Sequence, residues 1–372
     1  MSETLVSSPA VIMAPRTDGF EAVWAVTRLS RGWLEWIAGE ASGVTRSDAF
    51  GMVPQGDTVL RVRVSGLPSG TPVLVRAVTE AIAAPAERHE SEWKTVRTLD
   101  PAASTAHFAV WNDTHQHADT LKGLDAATPT DLDLLVWNGD LCNDWTTPDQ
   151  FVDTVLSPAG LDVSRGRPLL IAMGNHDVRG TWAYRLKEFV ATPEGRPYTA
   201  FRVGPVAMVV LHTGEDKPDD HPTFGGRVAL QSLRSEQAAW LREAIARADM
   251  RDAPYRVVVC HIPLRWLDEG EVDYDNEGYD SFSKMSRDEW HDALVEWGAQ
   301  VVLSGHMHET AWIPASEEFP YAQLVSGGPV ADVSSPEAAS WVEAAADQRE
   351  LVLTMRDLGG TVITEARLTP LG

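Results

Sequence analysis

The chain of 372 residues contains little cysteine, with Cys142 and Cys260 as its two copies. Two cysteines make no disulfide framework, which suits a reducing compartment. Residues 1–10 also lack both a basic region and an apolar signal segment. We therefore expect a cytoplasmic protein, an expectation that a signal segment preceding residue 1 would overturn.

Long hydrophobic runs and positive charge are scarce as well. No uncharged apolar run reaches the roughly 18 residues that a membrane-spanning helix needs, so no membrane association is expected. The 54 acidic residues outnumber the 31 lysines and arginines, and the net charge is -23. Such a charge favours solubility and repels polyphosphate backbones, which disfavours nucleic acid as a general partner. A small anionic substrate would need a local attractant such as a metal ion.

Residues from about 10 to 99 show no helical period and no clustered carboxylates. Within Thr58–Val64, apolar Leu60 and Val62 alternate with arginines, as in a half-buried strand. Four further segments are strand candidates: Glu21–Thr27, Trp33–Ile37, Pro72–Thr79 and Glu92–Thr98. Short strands separated by glycine, proline and serine predict an all-β sandwich over residues 1–100.

Residues 100–104 are typical of a linker, and after them strands alternate with helices. This pattern predicts an α/β domain over residues 101–372. The predicted strands are His107–Trp111, Asp133–Asn138, Leu169–Met173, Val206–Leu211, Arg256–Cys260 and Val301–Ser304. A terminal hairpin is expected from Leu351–Met355 and Thr361–Ala366.

Two helices of this domain have sequence signals at their amino ends. Ser286 is followed three residues later by Glu289, which is the pattern of a capping box. Trp290 and Trp297 then contribute to an apolar stripe along that helix. The other helix is expected to begin at Ser235.

The ends of the predicted strands carry the polar residues that suggest chemistry. Five strands end in such residues: Asp113 and His115; Asp140; Asn175 and His176; His261; and His306 and His308. Because α/β domains place their sites at the carboxyl ends of strands, we expect these side chains to share one crevice. The alternative is that these residues are unrelated helix caps and core histidines. Their occurrence at five strand ends in succession disfavours that alternative.

Carboxylate, amide oxygen and imidazole nitrogen suit Mn, Fe or Zn ions. The set offers more ligands than one ion needs, so two ions sharing a carboxylate are expected, separated by roughly 3.5–4 Å. Bound ions would neutralise the oxygens of a phosphate ester and lower the pKa of a bound water from 15.7 to about 7. A metal-activated hydroxide is then the expected nucleophile.

The ordered motifs Asp-x-His, Gly-Asp, Gly-Asn-His-Asp, a lone His and Gly-His-x-His resemble the calcineurin-like metallophosphoesterase superfamily over about residues 105–368. The resemblance implies a four-layer αββα sandwich of two mixed sheets flanked by helices. It also implies two metal sites. One would be formed by Asp113, His115 and His308, the other by Asn175, His261 and His306, with Asp140 bridging both.

The amino-terminal region is similar to the fibronectin type III-like domain that precedes the catalytic domain of purple acid phosphatases. The site departs from that subgroup, because Asn143 stands where those enzymes have a metal-binding tyrosine and His115 where they have glycine. We therefore expect no tyrosinate–iron site. Protein serine/threonine phosphatases are disfavoured too, since their Asp-Arg-Gly is replaced by Asn143-Asp144-Trp145.

The resemblance also suggests roles in catalysis and substrate binding. His176 would protonate the leaving alkoxide, and Asp177 would orient His176 or keep it protonated. Asn175 would contact the substrate phosphate. Two further residues are suggested by their positions in the chain. Arg265 lies in the segment after His261, which is expected to wall the substrate crevice, and would meet a phosphate oxygen. His117, two residues past His115, would reach the substrate or merely cap the next helix.

The sequence thus predicts an enzyme that uses two divalent metal ions to hydrolyse phosphate esters. Phosphodiesters are slightly favoured as the substrate class. A phosphomonoesterase for nucleotides or other small phosphorylated metabolites is the alternative. A non-catalytic metal-binding scaffold is a remote alternative, because no metal ligand is missing from the set. Oligomeric state does not follow from the sequence.

Overall fold

The structure is a computed structural model that describes residues 4–47, 50–279 and 281–372. Nine short strands precede residue 100 in the described part: β1 (Val11–Arg16), β2 (Gly19–Ala25), β3 (Ser30–Ala38), β4 (Ala41–Thr45), β5 (Gln55–Gly56), β6 (Val59–Val64), β7 (Pro72–Ala81), β8 (Arg88–Glu90) and β9 (Lys94–Arg97). The strands β1, β2 and β6 pack against a second sheet built around β3 and β7. Trp24 and Leu34 lie in the core between them.

This amino-terminal region shares a sheet with the rest of the chain. The strand β1 pairs in parallel with the later segment Leu169–Ala172, and Met13 lies opposite Leu169. Arg61 also donates a hydrogen bond to the backbone carbonyl of Lys187. The predicted boundary near residue 100 is therefore crossed by backbone pairing.

The described residues after 100 contain twelve strands and five α-helices. The strands are β10 (Ala106–Trp111), β11 (Leu134–Asn138), β12 (Leu169–Ala172), β13 (Thr199–Val203), β14 (Val206–Leu211), β15 (Tyr255–Cys260), β16 (Val301–Ser304), β17 (Ala311–Ile313), β18 (Ala322–Val325), β19 (Ser340–Ala346), β20 (Leu351–Asp357) and β21 (Val362–Leu368). The helices are α1 (Ala118–Ala127), α2 (Leu186–Phe189), α3 (Leu230–Ala246), α4 (Ala248–Arg251) and α5 (Lys284–Trp297).

Two large sheets pack face to face. One has the strand order β21-β20-β19-β10-β11-β12-β1-β2-β6, and the other has the order β13-β14-β15-β16-β18-β17. Valine and leucine side chains from both sheets fill the space between them. The outer face of the first sheet packs on α1 and the segment 151–163, and that of the second on α3 and α5. The result is a mixed α/β fold consistent with the expected sandwich.

The six predicted strands of this region and the terminal hairpin are confirmed, but both predicted helix starts are wrong. Helix α5 begins at Lys284, two residues before Ser286, because Ser283 is its N-cap and accepts a hydrogen bond from the Ser286 N–H. Ser235 lies inside α3, whose first N–H groups are bound by the Asp219 carboxylate. Glu289 does not close a capping box; it accepts a hydrogen bond from Ser235.

No α-helix among the described residues combines the length and apolar character needed to cross a membrane.

Candidate metal centre

The polar residues predicted from the strand ends meet at one edge of the two sheets. The strands β10, β11 and β12 run parallel, and so do β14, β15, β16 and β18. Their carboxyl ends therefore lie side by side, and the loops that follow them carry the candidate ligands into one crevice. The structure thus brings together residues that are up to 195 positions apart, from Asp113 to His308.

Asp113, His115 and His308 form one group whose ligand atoms all lie within 4.8 Å of one another. The Nε2 atoms of the two histidines are 3.1 Å apart, and His308 Nε2 is 3.7 Å from Asp113 Oδ1. Asp113 and His115 are buried, whereas His308 is half-buried. The group is therefore open on the side of His308.

Asp140, His261 and His306 form a second group within the same distance limit. His261 Nε2 lies 3.1 Å from Asp140 Oδ2 and 3.6 Å from Asp113 Oδ1. Asn175 adds an oxygen, since its Oδ1 atom is 3.0 Å from His306 Nδ1. Asp140 Oδ2 is also 3.6 Å from His115 Nε2, which belongs to the first group. The Asp140 carboxylate therefore faces both groups.

The hydrogen bonding of His261 shows that the second group suits a cation. Its Nδ1–H donates to the Asn138 carbonyl at 2.7 Å. The buried Nε2 atom then faces the carboxylates without a hydrogen-bond partner. Facing carboxylate oxygens, Nε2 needs a positive charge beside it, either a proton on the ring or a metal ion bound to its lone pair. A divalent metal ion would supply that charge.

The ionisation of the site leads to the same conclusion. Burial lowers the pKa of His306 to about 3 and that of His115 to about 4, so both rings are neutral, the form that binds metals. Burial also lowers the pKa of His261, but the carboxylates of Asp140 and Asp113 outweigh it and raise that pKa to about 10. The carboxylates thus draw positive charge to the point where the ligands converge.

Strained backbone accompanies the candidate ligands. Five of them have positive φ angles: Asp113 (53°), His115 (44°), Asp140 (53°), His306 (74°) and His308 (53°). This conformation costs of order 1–3 kcal/mol at each residue other than glycine and persists where the surrounding structure enforces it. Gly174 contributes close packing, because a Cβ atom there would collide with Asp140 Oδ1 and the Asp140 nitrogen. The site is therefore held in place by its loops.

Asp177 holds these loops together through hydrogen bonds to their backbone. Its buried carboxylate accepts backbone N–H groups from Asp140, Leu141 and Gly174 at 2.8–3.1 Å. Both oxygens are used in this way, and the bonds tie the loops after β11 and β12 together. Its contacts are thus with backbone, whereas the predicted role was to orient the His176 ring or keep it protonated.

Asn143 is a supporting residue whose role the sequence reasoning missed. Its side-chain oxygen accepts a hydrogen bond from His115 Nδ1 at 2.7 Å, and its backbone carbonyl accepts one from His176 Nδ1 at 2.7 Å. The first bond leaves His115 Nε2 as the atom available to a metal ion. Such partners fix the tautomer and orientation of metal-binding histidines. The signal available in the sequence was the position of Asn143, three residues after the candidate ligand Asp140.

Arg179 and Glu215 were also missed. Arg179 Nη1 lies 3.1 Å from His176 Nε2, which in turn is 4.0 Å from Asp140 Oδ2. The other side of the guanidinium forms two hydrogen bonds with Glu215, whose side chain is 0% exposed. Glu215 follows β14, so it stands at the same edge as the candidate ligands. Its place after a strand end was the signal in the sequence.

Two further predicted residues lie apart from the two ligand groups. Arg265 donates hydrogen bonds to the backbone carbonyls of Pro314 and Tyr321 and stacks on Phe319. His117 is exposed at the N-cap position of α1, without a side-chain capping bond. The structure thus shows no contact of either side chain with the candidate ligands, and their roles in substrate binding stay predictions.

Comparison with known proteins supports this interpretation of the site. Serine/threonine-protein phosphatase CPPED1 of Homo sapiens is 34% identical over 151 residues, which are 40% of this chain and 44% of that protein. Purple acid phosphatase 22 of Arabidopsis thaliana is 23% identical over 224 residues, 56% of this chain and 45% of that protein. The chain therefore covers less than half the length of either relative.

Solved structures share the fold over nearly the whole chain. Purple acid phosphatase PPD1 from yellow lupin superimposes with a TM-score of 0.74 at 14% identity, covering 98% of this chain and 74% of that one. PhoD superimposes with a TM-score of 0.61 at 14% identity, covering 99% and 90%. The calcineurin-like phosphoesterase model matches residues 106–310, more than half of the chain. The chain therefore belongs to the calcineurin-like phosphoesterase family.

Proposed function

We propose that the chain hydrolyses phosphate monoesters at a centre of two divalent Mn, Fe or Zn ions. The observation that carries the proposal is the position of Asp140 Oδ2, 3.1 Å from His261 Nε2 in one ligand group and 3.6 Å from His115 Nε2 in the other. One ion would be held by Asp113, His115 and His308, the other by Asn175, His261 and His306, and Asp140 would contact both. Bound there, the ions supply a hydroxide nucleophile at neutral pH and neutralise phosphate charge.

His176 is proposed as the group that gives a proton to the leaving alcohol. Its Nδ1–H is fixed on the Asn143 carbonyl, so Nε2 faces the crevice. In the structure Nε2 is in contact with Arg179 Nη1. A substrate phosphate would draw the guanidinium away from Nε2, which would then take up a proton from solvent and donate it to the leaving oxygen. Asp177 would act indirectly, by holding the loop that carries His176.

Arg179 is the reason for preferring monoesters. A monoester phosphate carries one more negative charge than a diester and offers more oxygens to a guanidinium donor. The buried Glu215 fixes Arg179 through Nε and Nη2, which leaves Nη1 for the substrate. Both reported relatives are phosphatases by name, in agreement with this preference. The human relative's name also makes a phosphorylated protein side chain a candidate substrate, although the missing Asp-Arg-Gly disfavoured that class.

Phosphodiester hydrolysis is the second candidate. It rests on the Asp-x-His motif formed by Asp113 and His115, which resembles the bacterial phosphodiesterase and phosphatase branches and slightly favours diesters. A non-catalytic scaffold is disfavoured by the presence of all seven candidate ligands.

Parallel hydrolysis assays distinguish these functions. Metal-stripped protein would be refilled with Mn²⁺ and given p-nitrophenyl phosphate, bis(p-nitrophenyl) phosphate and a phosphoserine peptide. The proposal expects faster cleavage of monoesters than of the diester, with activity lost in Asp113→Asn. A clear diester preference would favour the second candidate. No cleavage with Mn²⁺, Fe²⁺ or Zn²⁺ would contradict both.

We also propose that residues 1–100 form a fibronectin type III-like unit attached to a catalytic unit of residues 101–372. The antiparallel strands β1, β2 and β6 enclose a core of their own together with the separate sheet β4-β3-β7-β8, and this core supports the division. The pairing of β1 with β12 joins the units. Expression of residues 101–372 alone tests the boundary. A folded fragment that binds metal would support it, whereas an aggregating fragment would show that β1 belongs to the catalytic fold.

A further inference from the structure

A cavity of about 600 Å³ lies beside the loop that follows β12. Its walls come from the segment 173–197, from His212 after β14, from residues 227–233 at the start of α3, and from Arg61 on β6. Small-molecule sites have volumes of roughly 300–1,000 Å³ and often lie where structural units meet. The cavity has such a volume, and it lies where β6 of the amino-terminal region approaches the catalytic sheet.

The cavity is apolar inside and positively charged outside. Its apolar lining residues include Met173, Val178, Leu186, Val190, Leu230 and Leu233. Lys187, Arg196 and Arg227 also line it, and all three are exposed. None of the three forms an ion pair with a carboxylate in the described parts of the chain. These cations face solvent in a protein of net charge -23.

Negative charge is almost missing from the described lining. Asp177 is the one carboxylate there, and both of its oxygens accept backbone N–H groups. Arg61 is already paired with Glu21. Arg227 donates a hydrogen bond to the Thr223 carbonyl and Arg196 lies over the Tyr198 ring, but neither contact neutralises the charge. The charge of the three cations therefore selects an anion.

The cavity is distinct from the metal centre. Val178 and Gly180 line it, whereas Arg179 between them is bonded to Glu215 and lies against His176 on the other side of the loop. The loop thus forms a partition between the two sites. A ligand in the cavity would touch the loop that carries His176 without reaching the candidate metal ligands.

We infer that this cavity is a second binding site, for a small amphipathic anion with an apolar chain or ring and one anionic head group. The apolar body would pack against Met173, Leu186 and Leu233. The head group would lie at the rim near Arg196 and Arg227. A nucleotide fits poorly, because its polar base and sugar would lose hydration against mostly apolar walls that offer few hydrogen-bond partners.

Two related fluorescent probes test the inference on the full-length, Mn²⁺-loaded protein. 1-Anilinonaphthalene-8-sulfonate is an apolar anion, and N-phenyl-1-naphthylamine is its uncharged counterpart. The sulfonate should bind saturably at one site per chain. The double variant Arg196→Gln/Arg227→Gln should weaken it by about three- to twenty-fivefold, since each exposed ion pair contributes a factor of up to about five. Binding of the uncharged probe should be unchanged.

Matched variants and competitors complete the test. Arg251→Gln removes an exposed cation elsewhere and should leave both probes unaffected. Leu233→Trp should fill the cavity and abolish binding of both. Decanoate and decyl phosphate should displace the sulfonate, and inorganic phosphate should not. Equal weakening of both probes by the double variant, displacement by inorganic phosphate, or competition with p-nitrophenyl phosphate would overturn the inference of a separate amphipathic site.

Discussion

Arg179→Gln tests the proposed preference for monoesters. The Arg179 side chain is 18% exposed and its partner Glu215 is 0% exposed. Removing the guanidinium leaves a buried carboxylate without its cation, which costs about 3–5 kcal/mol in folding free energy. We expect the lower end, about 3 kcal/mol, because Glu215 can take up a proton in place of its partner.

The destabilisation should depend on pH. Burial raises the pKa of Glu215 to about 7 even with Arg179 beside it. A carboxyl with a raised pKa in the folded state favours folding at low pH, and this contribution is lost as pH rises through the folded pKa. Without Arg179 the pKa of Glu215 should rise further. The variant should therefore lose more stability at pH 8 than at pH 6, as urea denaturation would measure.

The effect on catalysis follows from the contact that Arg179 Nη1 would make with phosphate. A hydrogen bond to a charged group contributes about 1.5–3 kcal/mol. Its loss should lower kcat/KM for p-nitrophenyl phosphate by about 10- to 150-fold. The loss for bis(p-nitrophenyl) phosphate should be smaller, because the diester carries less charge.

A second substitution separates the structural role from the catalytic one. Arg179→Gln/Glu215→Gln replaces both charges with amides, so it should recover most of the stability but not the monoesterase activity. Arg185→Gln is the control, since it removes a more exposed ion pair, between Arg185 and Glu188, from the same segment. It should change neither the stability nor the monoesterase activity much. Recovery of activity together with stability would refute a contact between Arg179 and phosphate. Equal losses on the monoester and the diester would refute the charge argument.

Three further substitutions test other parts of the site. His176→Ala should keep both metal ions and slow alkyl phosphates by about 10²–10⁴-fold, with much smaller losses on nitrophenyl esters; equal losses would contradict its role as proton donor. Gly174→Ala should displace the Asp140 carboxylate and reduce metal content measured by mass spectrometry, and full occupancy would show that the loop can adjust. Asn143→Leu should weaken metal binding at His115 by about 10- to 100-fold, whereas Asn143→Asp should retain it; equal titration curves would refute the tautomer argument.

The strand ends could be predicted because they depend on local sequence and on one rule of topology. Apolar runs such as Val206–Leu211 and Val301–Ser304 have the bounds that the sequence indicates. Parallel strands align their carboxyl ends, so residues that follow them meet without any knowledge of loop conformation. This is why the meeting of the candidate ligands in one crevice could be anticipated from their positions, whereas their division into two groups was implied by the family resemblance.

The supporting contacts could not be predicted in the same way. Arg179 meets Glu215 across 36 positions, and that pairing depends on how two loops fold rather than on any periodic pattern. The predicted helix starts were wrong for a related reason. The serine and glutamate spacing at Ser286 fits a capping box, but Ser283 occupies the N-cap position and supplies the same hydrogen bond one turn earlier.

Metal stoichiometry tests the central claim most directly. Full-length protein would be stripped, refilled with Mn²⁺, freed of excess ion and analysed by inductively coupled plasma mass spectrometry beside His308→Ala. The two ligand groups around Asp140 predict two ions per chain in the unaltered protein. His308→Ala should retain about one ion, because His261 and His306 remain intact. One ion or fewer in the unaltered protein, or two in the variant, would contradict a dinuclear centre formed by these residues.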